Sequence, residues 1–121
     1  MTKAEIYWLA GILEGEGCFL LAESRANGRV YVHPRAELSM ADKDVVQRVA
    51  VLMQTTVRAQ KQKGHYKRMY KTTLYSLRAA ALMERLLPIF GIRRRKQITK
   101  VLQEWRRLKA KPWGKRNKGF V

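Results

Sequence analysis

Two glutamates set among glycines are the first residues in this sequence whose types and spacing could do chemistry. Residues 8–19 read WLAGILEGEGCF, and Glu14 and Glu16 fall at the end of a predicted helix. Gly11 and Gly15 lie within that helix, where each costs about 1 kcal/mol relative to alanine. Acids at a helix C-terminus are also disfavoured, by about 0.3–1 kcal/mol each. Local conflicts of this kind are typical of functional sites.

The same stretch carries a strip of small residues. Gly11 and Gly15 are four residues apart and flanked by Ala10, so a second backbone could approach this helix closely. If that backbone belongs to another copy of the chain, the two Glu16 carboxylates meet and repel one another unless a cation separates them. Carboxylate oxygens suit Mg²⁺. We therefore predict a homodimer with Ala10, Gly11, Leu13 and Gly15 at its interface and magnesium at the paired acids.

The composition indicates one basic domain. The chain has 121 residues, with 26 Lys and Arg against 9 Asp and Glu, a net charge of +17 and a pI of about 10.7. No acid occurs between Asp44 and Glu84. This length supports a single hydrophobic core, and so strong a positive charge indicates a polyanionic partner.

Cysteine usage and hydropathy indicate an intracellular protein that does not enter membranes. The single cysteine, Cys18, allows no internal disulfide. No apolar run reaches the length of a membrane span, and the N-terminus lacks the layout of a signal peptide. His33 and His65 do not form a zinc pattern with one cysteine, and Cys18 has no obvious histidine partner for covalent catalysis.

The hydrophobic patterns predict an α+β fold in the order αββαββαα. Thr2 and Glu5 form a capping box before the first helix, and Asn27-Gly28 is a strong hairpin signal. Pro34 lacks an N–H and suggests an edge strand or a bulge. The predicted strands span 18–26, 29–40, 56–63 and 66–77, and the later helices begin at 42–44, 79 and about 94.

These elements would build a four-stranded antiparallel sheet with all helices on one face. The domain is predicted to span residues 1–108, followed by a basic, flexible tail at 109–121. The second face of the sheet would remain open. Arginine and glutamine make bidentate contacts to base edges in the major groove, and lysines suit phosphates. The predicted DNA-binding residues are His33, Arg35, Glu37, Ser39, Arg58, Gln60, Gln62, Arg68, Tyr70 and Thr72, with Lys61, Lys63, Lys67 and Lys71 near phosphates.

The stretch Leu9 to Gly17, LAGILEGEG, resembles the signature of the LAGLIDADG homing endonucleases. Glutamate replaces both aspartates of that signature, and Gly15 replaces its alanine. The resemblance extends over about residues 4–108 and implies a saddle-shaped sheet on double-stranded DNA. Chains with one motif are similar to the members that act as homodimers on near-palindromic sites. Glu16 falls on the metal-binding acid of the motif, and the backbone carbonyl of Gly15 would also face the metal.

The resemblance also implies further site residues. Asp42 lies where family members place a polar residue that orders water, and Arg94, with Lys96 as the alternative, matches the basic residue before the last helix. Val46 occupies the position of a second basic residue, which leaves that role unfilled or taken by Arg48. The implied reaction is site-specific phosphodiester hydrolysis with about two or three Mg²⁺ ions per dimer, for which Mn²⁺ or Ca²⁺ can substitute in binding.

Other functions stay open on the same scaffold. An RNA-binding intron maturase or a non-cleaving DNA-binding regulator would keep the sheet and the charge, and a basic ribosome-associated protein would show no preference for a symmetric site. The intact Gly-Glu-Gly turn favours the nuclease, because nothing in such a fold requires a carboxylate there. Intron, intein or free-standing origin and the target sequence also stay open.

Overall fold

The computed structural model describes residues 1–60, 64 and 67–110, and it has the predicted αββαββαα order. The elements are α1 Lys3–Glu16, β1 Gly17–Ala26, β2 Arg29–Met40, α2 Lys43–Met53, β3 Arg58–Gln60, β4 Met69–Tyr75, α3 Ser76–Leu86 and α4 Ile92–Ala110. The predictions for Lys61, Gln62 and Lys63 fall outside the described residues. Of the predicted tail, 109–121, residues 109 and 110 belong to α4 and 111–121 fall outside the described residues. No helix in the described part is long and apolar enough to cross a membrane.

The local signals at the start of the chain give the predicted elements. The Thr2 side chain accepts the Glu5 N–H at 3.1 Å, and the Thr2 N–H donates to Glu5 Oε1 at 2.7 Å, so the capping box is complete. Asn27 and Gly28 both have positive φ, 53° and 76°. Positive φ at both central residues is the requirement of a type I′ turn, whose twist matches the paired strands. The β1–β2 hairpin is therefore set by local sequence.

The four strands form one antiparallel sheet in the order β1-β2-β4-β3. The edge position suggested by Pro34 is wrong, because β2 pairs with strands on both sides. Its ladder with β4 begins at Arg35, paired with Tyr75, so Pro34 stands one residue outside that ladder. The missing N–H of proline is tolerated there.

The helices cover one face of the sheet. Ala36 and Leu38 of β2 are fully buried on this face, as is Pro34. The predicted α2 stripe is buried as well; it consists of Val46, Val49, Ala50 and Met53. Phe19 of β1 meets Phe90 edge to face, with 5.6 Å between the ring centroids. The core thus lies between the sheet and its helices, and the other face of the sheet is open.

The boundaries in the second half differ from the prediction. Strand β4 ends at Tyr75, so Leu77 belongs to α3 and not to the strand. Helix α3 runs from Ser76 to Leu86, three residues ahead of the predicted start, and ends before Pro88. Helix α4 begins at Ile92, ahead of the predicted residue 94. The earlier start of α3 shortens β4, with consequences for its two faces.

Candidate functional site

Glu16 ends α1 with an exposed side chain. Within the described part of the chain, its carboxylate makes no hydrogen bond and no ion pair. The next residue, Gly17, caps the helix by donating its N–H to the Leu13 carbonyl. A Cβ at Gly17 would lie 2.6 Å from that oxygen, so only glycine fits. The turn therefore presents an unpartnered acid on a tightly closed helix end.

Arg94, in α4, holds this turn in place through hydrogen bonds. Its Nε donates to the Glu14 carbonyl at 2.9 Å and its Nη2 to the Gly17 carbonyl at 2.7 Å, while Nη1 donates to Gln97 at 2.7 Å. The residue is 6 % exposed, and burial lowers the pKa of its guanidinium, with the charge of Arg93 acting in the same direction.

Burial and three hydrogen bonds from its five N–H donors give Arg94 a structural role and favour Lys96 for the predicted catalytic role, which stays a prediction. Lys96 is exposed in the first turn of α4, beside exposed Arg93 and Arg95. The predicted basic residue of the site is then Lys96, the alternative that the family pattern allows. This assignment stays a prediction.

Glu14 connects the same two helices in the opposite direction, from the end of α1 to the start of α4. Its Oε2 accepts the Gly91 N–H at 2.7 Å, directly before α4 begins. A Cβ at Gly91 would lie 2.8 Å from that oxygen, so glycine permits the approach. The carboxylate is disfavoured at the end of its own helix but favoured at the start of another, where unpaired N–H groups and the helix dipole attract negative charge. Glu14 thus needs no catalytic explanation, unlike Glu16.

Asp42 stands at the same end of the sheet as Glu16. It is the N-cap of α2 and lies two residues after the end of β2, whose Leu38 pairs with Gly17. Its side chain is exposed and makes no capping hydrogen bond. The carboxylate is therefore available, as the predicted water-ordering role requires, and that role stays a prediction.

The metal-ligating groups of one chain do not form a complete site. Among the described residues there is no cluster of three or more His, Cys, Asp or Glu side chains that could hold a metal ion. Glu16 offers carboxylate oxygens, and Gly15 lies in the last helical turn, where carbonyls have no intrahelical donor. Both are oxygen ligands of the kind Mg²⁺ prefers. They fit a metal whose remaining ligands come from another molecule.

The strip of small residues is open on α1. Gly11 and Gly15 are exposed, and a Cβ at either would meet nothing within 4 Å. Ala10 and Leu13 were predicted at the same interface, but they are 2 % and 0 % exposed because they pack into the chain's own core. The free surface instead continues to Tyr7, which is 53 % exposed. The spacing 7, 11, 15 along one helix face was the sequence signal for this residue.

Arg48 stacks on the ring of Trp8, with its guanidinium carbon 3.9 Å from the ring centroid. Val46, at the position of the second basic residue in the family pattern, is fully buried. The position therefore cannot supply a charge, and Arg48 lies on the exposed part of α2 beside α1.

The register puts three predicted DNA-binding residues in one row of the open face. Ser39 pairs with Lys71, and Lys71 pairs with Arg58. Ser39 also donates a hydrogen bond to Gln60 at 2.5 Å. Nearer the hairpin, His33 Nε2 is 2.8 Å from Ser24 Oγ. The polar side chains of this face lie mainly on β2, β4 and β3, because β1 contributes Cys18, Leu20 and Ala22 opposite Glu37, Arg35 and His33.

Tyr70 and Thr72 do not lie on that face. Thr72 is fully buried on the helix side, where its hydroxyl shares a 2.5 Å hydrogen bond with Thr55. Tyr70 packs against the core, with Lys43 Nζ 5.4 Å from its ring centroid. Their predicted contacts with DNA are wrong, because a shift of one residue in strand phase moves every side chain to the opposite face. Lys67 and Arg68 are exposed just before β4 begins.

Comparison with known proteins adds to this geometry at the level of fold. No protein-family model and no curated protein matches the sequence. The homing endonuclease I-CvuI in complex with its target matches with a TM-score of 0.67 and 19% identity, over 88% of this chain and 69% of that chain. The group I intron-encoded I-CeuI complexed with DNA matches with a TM-score of 0.63 and 15% identity, over 87% of this chain and 55% of that one.

A third match is a LAGLIDADG meganuclease. The LAGLIDADG meganuclease I-CpaMI, bound to uncleaved DNA, matches with a TM-score of 0.62 and 9% identity over 90% of this chain and 41% of its own. The likeness to these proteins agrees with the resemblance that residues 9–17 predict. This chain therefore has the fold of the LAGLIDADG homing endonucleases.

Proposed function

We propose that this protein is a site-specific DNA endonuclease that acts as a homodimer and hydrolyses phosphodiester bonds with a divalent metal. The observation that carries the proposal is the exposed, unpartnered carboxylate of Glu16 beside the open strip of Gly11 and Gly15. An acid left unpaired at a helix C-terminus has no structural value there. A neighbouring copy and a bound cation would give it one.

The two faces of the domain divide the proposed work. The open sheet face, with Arg35, Arg58 and Lys71, contacts double-stranded DNA, since basic side chains release counterions from phosphates. The strip on α1 contacts the second copy, which brings the second Glu16 and a second sheet. Two sheets related by a two-fold axis suit a near-palindromic target.

At the proposed site, Glu16 and the Gly15 carbonyl of each copy would hold the divalent metal. When bound, Mg²⁺ supplies an activated water and stabilises charge on the phosphate. Asp42 orients water from the end of β2, and Lys96 offers a positive charge toward the phosphate. Arg94 and Glu14 keep the Glu16 turn in one geometry, which metal-assisted hydrolysis requires because small displacements of reacting groups are costly.

The test is cleavage of a randomised DNA library with Mg²⁺, followed by sequencing of the new ends. The variant Glu16→Gln removes the metal-binding charge and keeps the side-chain shape. Glu23→Gln is the matched control, since Glu23 is an exposed acid on β1 away from the turn. We expect the wild type and Glu23→Gln to cut one near-palindromic motif and Glu16→Gln to bind it uncut.

Four outcomes would contradict parts of the proposal. Cleavage that survives Glu16→Gln would remove the assigned role of the acid. A monomer in sedimentation with DNA bound would contradict the homodimer. Enrichment of one DNA sequence without cleavage by the wild type would favour the DNA-binding regulator, and selective binding of intron RNA would favour the maturase.

A further inference from the structure

Helix α4 carries a row of three cations on its exposed side, Arg93, Lys96 and Lys100, which is called the α4 row below. The three residues are spaced i, i+3 and i+7, so they lie on one side of the helix and span about 10 Å along its axis. All three side chains are exposed, and within the described part of the chain none makes a hydrogen bond or an ion pair. No Asp or Glu occurs from residue 92 to residue 103. The charge of the row is therefore not neutralised by its own stretch of helix.

The α4 row begins in the first turn of the helix, where positive charge is least favourable. The helix dipole disfavours cations near the N-terminus and favours them near the C-terminus. At the favourable end, two arginines of α4 also have acidic partners: Arg106 with Glu84 and Arg107 with Glu104. The cations at the unfavourable end are thus the ones without acidic partners. Such a local conflict indicates a partner outside the chain.

The α4 row runs beside the edge of the sheet. Strand β1 is the outermost strand in the order β1-β2-β4-β3. From α4, Gln97 Nε2 donates to the carbonyl of Phe19 in β1 at 3.3 Å. Arg93 and Lys100 stand four residues before and three residues after Gln97, so they are its neighbours on the helix surface. The exposed cations therefore lie next to β1.

Strand β1 brings no cation of its own to the adjoining part of the open face. Its residues there are Cys18, Leu20 and Ala22, none of which is basic. Duplex DNA carries one negative charge per about 1.7 Å of helix axis, and its affinity for proteins depends on cations that replace its counterions. A duplex that extends over β1 therefore needs cations from a neighbouring element. The α4 row offers them at this edge.

We propose that the α4 row binds phosphates of the DNA backbone where the duplex passes the β1 edge of the sheet. This inference rests on the proposed function, because it requires DNA on the open face. It makes Arg93 and Lys100 phosphate-binding residues on either side of Lys96, which the proposed function places toward the reacting phosphate. Phosphate contacts position a duplex and carry no sequence information directly. The row thus adds affinity and fixes the strand without reading bases.

The test compares substitutions that remove the same charge from different sides of α4. Arg93→Gln and Lys100→Gln each remove one cation from the row, and Lys96 is left intact. Arg95→Gln is the matched control, since Arg95 is exposed on the same helix but about 160° away from Arg93 around the axis. Affinity for a duplex selected by the wild type is measured over a series of salt concentrations, with a metal chelator present so that no cleavage occurs. Thermal unfolding verifies that each variant is folded.

We expect the plot of log K against log[salt] to become shallower in both row variants. The slope should change by about 0.9 for each chain in the complex, which is the contribution of one phosphate contact. Binding should weaken by a similar factor for all DNA sequences, so that base preferences persist. Arg95→Gln should keep the slope of the wild type.

A second measurement locates the contact on the DNA. Single phosphates of the selected duplex are replaced in turn by uncharged methylphosphonates. Replacement of a phosphate that the row contacts should weaken binding by the wild type. Lys100→Gln should be insensitive to replacement at one of these positions, because its cation is already absent.

Unchanged salt slopes in Arg93→Gln and Lys100→Gln overturn the inference, as does an equal change in Arg95→Gln. A row variant that alters base preference overturns the assignment to phosphates. A wild type without salt-dependent binding to duplex DNA overturns both this inference and the proposed function. The expected slopes in a protein that does not cleave DNA with Mg²⁺ support the row and contradict only the endonuclease.

Discussion

The junction between α1 and α4 and the open face of the sheet treat their charged groups in opposite ways. At the junction, Arg94 makes hydrogen bonds of 2.7–2.9 Å to two backbone carbonyls and one amide side chain. On the open face, Arg35 and Lys71 stand 3.4–3.5 Å from Glu37, and the Glu37 oxygen and Arg35 Nε have no hydrogen-bond partner. The junction satisfies its polar groups within the protein, whereas the open face keeps polar atoms that have no hydrogen-bond partner.

Under the proposed function, the difference follows from what each region does. A group that holds a reactive carboxylate has to give the same geometry every time, so saturated, buried hydrogen bonds serve it. A surface that meets another molecule loses affinity if its donors and acceptors are already satisfied. Charged side chains in weak internal ion pairs can exchange those partners for groups of a bound molecule, so that no charge is left unpaired in the complex. The following variants test this contrast.

The largest expected effect is at Arg94. Arg94→Met leaves the Glu14 and Gly17 carbonyls without their donor, and each lost partner costs about 1–3 kcal/mol. We expect the free energy of unfolding in urea to fall by about 2–4 kcal/mol. Arg95→Met, an exposed neighbour on the same helix, should change it by less than about 0.5 kcal/mol. Equal losses of unfolding free energy in Arg94→Met and Arg95→Met would contradict the structural role assigned to Arg94.

Thr72 and Arg58 test the two faces of the sheet. Thr72→Val breaks the buried hydrogen bond with Thr55 and should reduce the free energy of unfolding by about 1 kcal/mol without altering DNA affinity. Arg58→Gln, on the open face, should do the reverse, weakening DNA binding with little effect on unfolding. Urea denaturation and a filter-binding titration measure the two. A loss of DNA affinity in folded Thr72→Val would contradict the assigned strand phase.

A smaller effect is expected where Glu14 meets α4. The Cβ of Gly91→Ala would displace the flexible Glu14 carboxylate, which then no longer caps the N-terminus of α4. We expect the free energy of unfolding to fall by about 1 kcal/mol. In a Glu14→Ala background the same change should cost nothing or stabilise slightly, because Gly91 has no positive φ and alanine reduces the entropy of the unfolded chain. A double-mutant cycle by urea denaturation measures this coupling, and additive effects would contradict it.

The smallest effect concerns the exposed N-terminus of α1, at the opposite end of the helix from the Glu16 turn. The hydrogen bond from the Thr2 N–H lowers the pKa of Glu5 in the folded state. The stabilisation is therefore complete above the ordinary glutamate pKa of about 4.3 and is lost as the pH falls through the lower folded value. Melting temperatures from about pH 7 to about pH 3 should show the gap between wild type and Glu5→Gln closing. A constant gap would contradict the linkage.

Short-range signals in the sequence were enough for the first half of the fold. The capping box at Thr2, the Asn27-Gly28 turn and the apolar spacing in α2 each depend on residues a few positions apart. The alternation in β2 predicted its bounds, 29–40, as the structure has them. Local chemistry and the tertiary fold agree in these elements, which is why they could be predicted.

The second half depended on information outside its own segment. In residues 68–77 polar residues occupy both strand faces, and the prediction included Leu77 in the strand although it belongs to α3. Leu74, which is only 4 % exposed, is the residue whose burial indicates the correct strand phase. The roles of Arg94 and Glu14 could not be predicted either, because their partners are about 80 residues away in the sequence. Only the folded chain brings those helix ends together.

That long-range contact also fixes when the Glu16 turn can take its final shape. Gly91, Arg94 and Gln97 reach back to residues 14–19, so the turn is completed only after nearly the whole domain has left the ribosome. A nascent chain that ends before α4 carries the acidic motif but not the donors that order it. If the proposed reaction is correct, a hydrolase encoded this way stays inert during its own synthesis. Under the proposed function, the metal and the second copy act only after this turn has formed.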